Sequence, residues 1–110
     1  MTEEGGKYLS DILYSIGLIE SFISDIKSYS GYLADLKTQS AVERHLGIIG
    51  EAVHKFDKLF PNESLEHAGK IIGLRNRLVH SYDSVDPSII WVIIQNNLAP
   101  LKEEVTRRLK

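Results

Sequence analysis

Apolar residues recur at steps of three and four along most of the chain, and this spacing constrains the fold more than any other feature. Such spacing gives a helix one apolar face, whereas a half-buried strand requires strict alternation. The stripes are Leu9, Ile12, Ile16, Ile19, Ile23 and Ile26; Val42, Leu46, Ile49, Val53, Phe56 and Phe60; Ile71, Leu74 and Leu78; and Trp91, Ile94, Leu98, Leu101 and Val105. We therefore predict an all-α protein, an up-and-down antiparallel bundle of four main helices.

Capping residues predict where these helices begin and end. Ser40 followed by Glu43 is typical of a helix start, because the two side chains satisfy free backbone amides of the first turn. Pro61 indicates the end of that second helix. The third helix is expected to begin near Ser64, and a short helical turn is expected at residues 32–37.

The fourth helix is predicted to follow Asp86-Pro87, since aspartate accepts from first-turn amides and proline has no amide to lose. Pro100 should bend it. Residues 89–94 are apolar on every side and also fit a buried strand, but the cap before them and the periodicity after them favour helix. Such a helix needs cover on more than one side, from a homodimer, a partner protein or the chain's own core.

The length of 110 residues indicates a single domain over residues 1–110, with residues 1–6 predicted to be disordered. No apolar run approaches the ~20 residues of a membrane-spanning helix, and the start lacks the features of a signal peptide. The chain also lacks cysteine, which fits a reducing compartment. We expect a cytoplasmic protein without membrane contact and without a cofactor.

Positive charge is concentrated in one segment, although the net charge is only -2. No carboxylate occurs between Glu66 and Asp83, a segment that contains five basic residues: His67, Lys70, Arg75, Arg77 and His80. A local positive patch suits a ligand that carries phosphate. A solvated basic helix face is the alternative interpretation.

The string Arg75-Asn76-Arg77-Leu78-Val79-His80-Ser81-Tyr82 lies at the end of the predicted third helix. Arginine binds phosphate oxygens through a planar fork, and histidine exchanges protons near neutral pH. Together they could cleave RNA without a metal ion. By spacing alone, however, the favoured interpretation is a salt bridge from Arg75 to a neighbouring helix and a capping or packing role for His80.

This string, an Arg, four residues, His, one residue and Tyr, resembles the signature of the HepT-like toxins of the HEPN superfamily. The resemblance covers nearly the whole chain. Further similar segments are Gly50-Glu51-Ala52, Gly73-Leu74, Val85-Asp86 with Trp91, and Asn97-Leu98-Ala99-Pro100-Leu101.

The resemblance implies a HEPN-like homodimer that acts as an endoribonuclease toxin on mRNA or tRNA. Arg75 and His80 would be its catalytic residues, with Asn76 and Glu51 in support. Tyr82 would receive AMP from a minimal nucleotidyltransferase antitoxin of the MntA type, and this O-AMP-tyrosine would inactivate the toxin. Lys70 and Arg77 are expected to add a phosphate- and RNA-binding patch.

Three alternatives remain open from the sequence. The first is a non-catalytic module that docks a nucleotidyltransferase or binds a nucleotide through the same patch. The second is a metal enzyme, because Glu51 and His54 have the Glu-x-x-His spacing of di-iron bundles and Glu20 is a candidate additional ligand. The third is a purely structural helical protein, which would leave the basic segment unexplained.

Overall fold

A computed structural model describes residues 1–80 and 85–110 of the chain. Within these ranges the chain forms six α-helices and no strand, which confirms the all-α prediction. The helices are α1 (Glu3–Phe22), α2 (Tyr29–Leu33), α3 (Leu36–Leu59), α4 (Gly69–His80), α5 (Pro87–Asn96) and α6 (Leu98–Leu109). A single turn of 3₁₀ helix, Pro61–Glu63, follows α3.

Helix α1 begins at Glu3, whereas the sequence predicts disorder over residues 1–6. The hydroxyl of Thr2 accepts a hydrogen bond from the amide of Gly5 at 3.0 Å, which caps the first turn. Glutamates at positions 3 and 4 also stand at the positive end of the helix dipole. These local interactions account for a helix at the start of the described chain.

Helix α3 begins five residues earlier than the capping pattern predicts. Asp35 is its cap, and the Asp35 carboxylate accepts from the amide of Thr38 at 3.0 Å. Ser40, the predicted cap, therefore lies inside the helix. The short helix α2, which Ser28 caps, overlaps the helical turn predicted at residues 32–37 only at its last two residues, and residues 36–37 belong to α3.

Helix α4 begins at Gly69 instead of near Ser64. Side chains from elsewhere satisfy the intervening backbone amides: Asp57 accepts from the amide of Leu65 at 3.0 Å. The carboxylate of Glu104 accepts from the next two amides, at 2.8 and 3.0 Å. With external acceptors in place, the segment before Gly69 has no need of a helical turn.

The predicted fourth helix is two helices, α5 and α6, separated at Asn97. The predicted start is confirmed, since Asp86 accepts from the amide of Ser88 at 2.9 Å and Pro87 is the first helical residue. The apolar run in α5 is helical, as predicted. Pro100 has no amide hydrogen and crowds the preceding turn, so the chain starts a new helix with proline in its first turn.

Helix α3 is central to the packing: it contacts α1 on one side and α4 on another. Helix α6 packs against α1 and α5. The core contains the predicted stripes, including the fully buried Leu9, Ile16, Leu46, Ile49, Ile71 and Leu101. None of the helices in the described ranges has both the length and the apolar content needed to cross a bilayer.

Candidate functional site

Arg75 lies where α4 packs closely against Gly50 of α3. A Cβ atom placed on Gly50 of α3 would be 2.5 Å from the Cβ and 2.7 Å from the Cγ of Arg75. Such distances are not tolerated between carbon atoms, so the approach requires glycine at position 50. Leu74, the residue before Arg75, is buried in the core. The backbone at the arginine is therefore held on both sides.

The guanidinium group of Arg75 is held by two of the residues that the sequence predicts to support it. Its Nη2 donates to the carboxylate of Glu51 in an ion pair, and its Nη1 donates to the Oδ1 of Asn76 at 3.0 Å. The arginine side chain remains 22% exposed. The planar fork is thus oriented by protein acceptors and still reachable by a phosphate group from solvent.

The other two residues of the predicted motif cannot be placed in the same way. His80 is the last residue of α4, but its side chain lies outside the described part of the structure. Tyr82 lies outside the described residues altogether. The catalytic role of His80 and the modification of Tyr82 therefore stay predictions.

Lys70 and Arg77 lie on a different side of α4 from Arg75. A step of two residues turns a helix by about 200°, so Arg75 and Arg77 point in nearly opposite directions. Both cations border an open groove between α4 and α5, which we call the α4–α5 groove. Its lining residues are Gly69, Lys70, Gly73, Leu74, Arg77, Ser88, Ile89, Val92, Ile93 and Asn97. Their predicted contact with RNA stays a prediction.

The residues of the metal-enzyme alternative contact different partners. Glu51 pairs with Arg75, whereas Glu20 of α1 accepts from Lys102 of α6 at 2.9 Å. His54 is exposed. Across residues 1–80 and 85–110, no three His, Asp or Glu side chains are grouped so as to hold a metal ion.

Sequence reasoning did not predict the role of Glu104. This glutamate is only 4% exposed, and it joins α6 to the segment before α4 through its two backbone hydrogen bonds. Arg108 pairs with Glu104 at 3.1 Å and donates to the carbonyls of Glu63 and Ser64. We call this set the Glu104–Arg108 clamp. In sequence it is an ordinary Glu–Arg pair one helical turn apart, which usually indicates a solvent-exposed pair.

Comparison with known proteins identifies the family. The family model for ribonuclease HepT-like proteins matches residues 12–108. A Thermococcus cleftensis protein named "Probable ribonuclease HepT" is 36% identical over 99 residues, which are 86% of each chain. Two Methanocaldococcus jannaschii proteins named as proposed RNases are also similar. MJ1380 is 34% identical over 89% of this chain and 90% of its own, and MJ0127 is 35% identical over 94% of this chain and 85% of its own.

No solved structure gives a significant match to the chain. The family match nevertheless includes the central helix α3, the motif helix α4 and both C-terminal helices. It therefore covers Glu51, Arg75, Asn76 and His80, the residues from which the candidate site is built. The chain belongs to the HepT-like ribonuclease family.

Proposed function

We propose that the protein is the endoribonuclease toxin of a toxin–antitoxin pair and that it cleaves RNA through Arg75 and His80. The observation that supports this most strongly is the arrangement of Arg75, whose partly exposed guanidinium is oriented by Glu51 and Asn76. In a chain of a ribonuclease family, a fixed cation of this kind suits the phosphate group of RNA.

The proposed reaction is transesterification within RNA. The 2′-oxygen of a ribose attacks the adjacent phosphorus atom, and the bond from phosphorus to the 5′-oxygen of the next nucleotide breaks. His80 takes the hydroxyl proton or gives a proton to the departing oxygen. Arg75 stabilises the negative charge that develops on the phosphoryl oxygens. A homodimer whose two motifs face a shared cleft would supply one imidazole for each proton transfer.

Neutralisation is proposed to occur by transfer of AMP from ATP to the hydroxyl oxygen of Tyr82, catalysed by a minimal nucleotidyltransferase antitoxin. The phenol loses its proton, and pyrophosphate leaves. The added nucleotide is bulky and carries a negative phosphodiester. Because Tyr82 is only two residues after His80, the AMP group would compete with substrate phosphate for Arg75 and obstruct access to the site.

The ribonuclease proposal is tested by expressing the chain alone in bacteria, together with Arg75→Ala and His80→Ala variants. We expect the wild-type chain to arrest growth and the purified protein to cleave RNA, and we expect both variants to lose both effects. Arg107→Ala serves as the control, because Arg107 is an exposed arginine of α6, a helix that carries none of the proposed site residues. Equal growth of all four strains, without RNA cleavage by the purified wild type, would contradict the proposal.

The modification proposal is tested by co-expression with the minimal nucleotidyltransferase that the proposal expects the adjacent reading frame to encode. We expect the intact mass to rise by one or more AMP groups in the wild-type chain and in Arg75→Ala, but not in Tyr82→Phe. An unchanged wild-type mass would remove this mechanism. Modification without RNA cleavage would instead favour the non-catalytic partner module.

A further inference from the structure

The α4–α5 groove is formed by two adjoining surface depressions of 370 and 310 Å³. Both are lined by Lys70 of α4 and by Ile89 and Ile93 of α5, so they form one continuous surface. This surface lies on a different side of α4 from Arg75, and it is bordered by Lys70 and Arg77, the two residues predicted to form an RNA-binding patch. Because Arg75 is not part of it, the surface needs an explanation of its own.

The floor of the groove is apolar and open. On α5, Ile90 and Ile94 are buried in the core, but Ile89 is 38% exposed and Val92 is 53% exposed. On α4, Gly69 and Gly73 border the groove, and a Cβ atom at either glycine would meet nothing within 4 Å. Branched aliphatic side chains of α5 therefore lie beside two positions of α4 that have no side chain, which leaves space for an inserted apolar residue.

Among the described residues that line the groove, all the charged side chains are positive. Lys70 and Arg77 lie seven residues apart on one face of α4, about 10 Å apart along the helix axis. No carboxylate is among the described lining residues. The nearby Asp86 caps α5 and bonds to the amide and hydroxyl of Ser88. An occupant with apolar groups at its centre and negative charges along one edge would be complementary to this surface.

RNA and a second copy of the chain are less suitable occupants than a protein helix. The described lining contains no aromatic side chain on which a base could stack, and stacking is a main source of affinity for single strands. A second copy related by a twofold axis through the groove would bring Lys70 and Arg77 close to their own equivalents. Like charges placed together at an interface oppose association.

We propose that the α4–α5 groove binds an amphipathic helix of another protein, with an apolar stripe that contacts Ile89, Val92 and Ile93. Carboxylates seven residues apart on the flank of that helix pair with Lys70 and Arg77. Binding of an amphipathic helix in an apolar groove is a common mode of peptide recognition. The proposal does not depend on ribonuclease activity, because it uses neither Arg75 nor His80.

The first experiment uses two synthetic, fluorescently labelled helical peptides with the same leucine stripe. One carries glutamate and the other lysine at flank positions seven residues apart. Each is titrated with the full chain, and binding is followed by fluorescence anisotropy. We expect the glutamate peptide to bind at least about tenfold more tightly than the lysine peptide. Equal affinities, or binding of neither peptide, would overturn the proposal.

The second experiment tests by substitution whether the peptide binds in the α4–α5 groove. Val92→Glu, at an exposed position, should abolish binding of the glutamate peptide. The double variant Lys70→Glu with Arg77→Glu should reverse the preference and bind the lysine peptide, which a misfolded protein could not do. Lys7→Glu is the matched control, an exposed lysine near the start of α1, and it should keep the original preference.

Two further measurements test whether RNA or a second copy of the chain binds in the groove instead. A labelled oligouridine should bind wild type and Val92→Glu equally; loss of its binding in Val92→Glu would assign the groove to RNA. The sedimentation coefficient should be the same in both proteins; a shift from dimer to monomer in Val92→Glu would assign the groove to a second copy. Either of these results would overturn the proposal of a helical protein partner.

Discussion

At the scale of single residues, the ion pair between Glu51 and Arg75 determines how the guanidinium meets a phosphate. Glu51 orients the arginine, but its negative charge also competes with the phosphate for the same donors. Both side chains are partly exposed, so water weakens the pair. Orientation and competition are separate effects, and two substitutions can distinguish them.

In Glu51→Gln the amide oxygen can still accept from Arg75, but the competing charge is gone. We expect the KM for a short RNA to fall about two- to fivefold with little change in kcat, since such pairs are worth about 0.2–1 kcal/mol. In Glu51→Ala the orientation is also lost, and we expect kcat to fall by about tenfold. Steady-state RNA cleavage measures both constants.

Glu20→Gln is the control for these variants, because Glu20 also forms a partly exposed ion pair, with Lys102, away from Arg75. It should leave both constants unchanged. A rise in KM for Glu51→Gln would show that the carboxylate assists RNA binding instead of competing with it.

The sequence could predict some of these residue positions. Helical geometry alone separates Arg77 from Arg75, because they are two residues apart on one helix. The contact of Glu51 with Arg75 is different, since the two residues lie on separate helices. Only the family resemblance suggested a shared site, and local spacing contains no information about how α3 packs on α4.

At the scale of helices, the distance between α3 and α4 depends on Gly50. We expect Gly50→Ala to lower the free energy of unfolding by about 1–3 kcal/mol, because the new methyl group would overlap the Cβ and Cγ of Arg75. These atoms are close to the backbone, so relief requires the two helices to move apart. Urea unfolding followed by circular dichroism measures the change.

Gly47→Ala is the matched substitution one turn earlier on α3, where a Cβ atom would meet nothing within 4 Å. Alanine there should stabilise the protein by about 0.5–1 kcal/mol, because glycine loses more chain entropy in a helix. If Gly50→Ala stabilised the protein as much as Gly47→Ala, this would contradict the close contact between α3 and α4 at Gly50.

Periodicity was sufficient to predict the existence of the main helices, but several of their ends were displaced. The displaced starts of α3 and α4 each involve an acceptor other than the cap predicted from the sequence. Asp35 moved the start of α3 earlier, whereas Asp57 and Glu104 removed the need for an early start of α4. The last two act across the fold, and a capping motif read along the chain cannot include them.

At the scale of the whole molecule, the Glu104–Arg108 clamp fixes the segment from which α4 begins. We expect Glu104→Gln to reduce the free energy of unfolding by about 1–3 kcal/mol, because a buried amide group cannot replace both carboxylate oxygens as acceptors. Arg108 would also lose its ion-pair partner. Urea unfolding of the purified protein tests this expectation.

Glu103→Gln removes the same charge from the neighbouring, exposed position of α6 and should change stability by less than about 0.5 kcal/mol. If the free energy of unfolding fell by similar amounts in the two variants, the loss would come from the change in net charge. The hydrogen bonds of the clamp would then not be needed for stability.

The sequence also left open what covers α5. The core covers only part of α5: Ile90 and Ile94 pack into the core, while Ile89 and Val92 remain at the surface. Composition could not predict this division, because it depends on how α5 packs against the core and on the break before α6. The antiparallel four-helix arrangement and the homodimer stay predictions.

The clamp has a consequence for the order in which a newly made chain acquires its site. The amides of Glu66 and His67 precede α4, but their acceptor lies 38 and 37 residues later, in α6. During synthesis on the ribosome, α4, which carries Arg75, emerges before Glu104, the residue whose side chain anchors the segment before α4. Until α6 has emerged and docked, those amides lack their native acceptor. The nascent chain therefore acquires the fully anchored site only after most of the domain has left the ribosome.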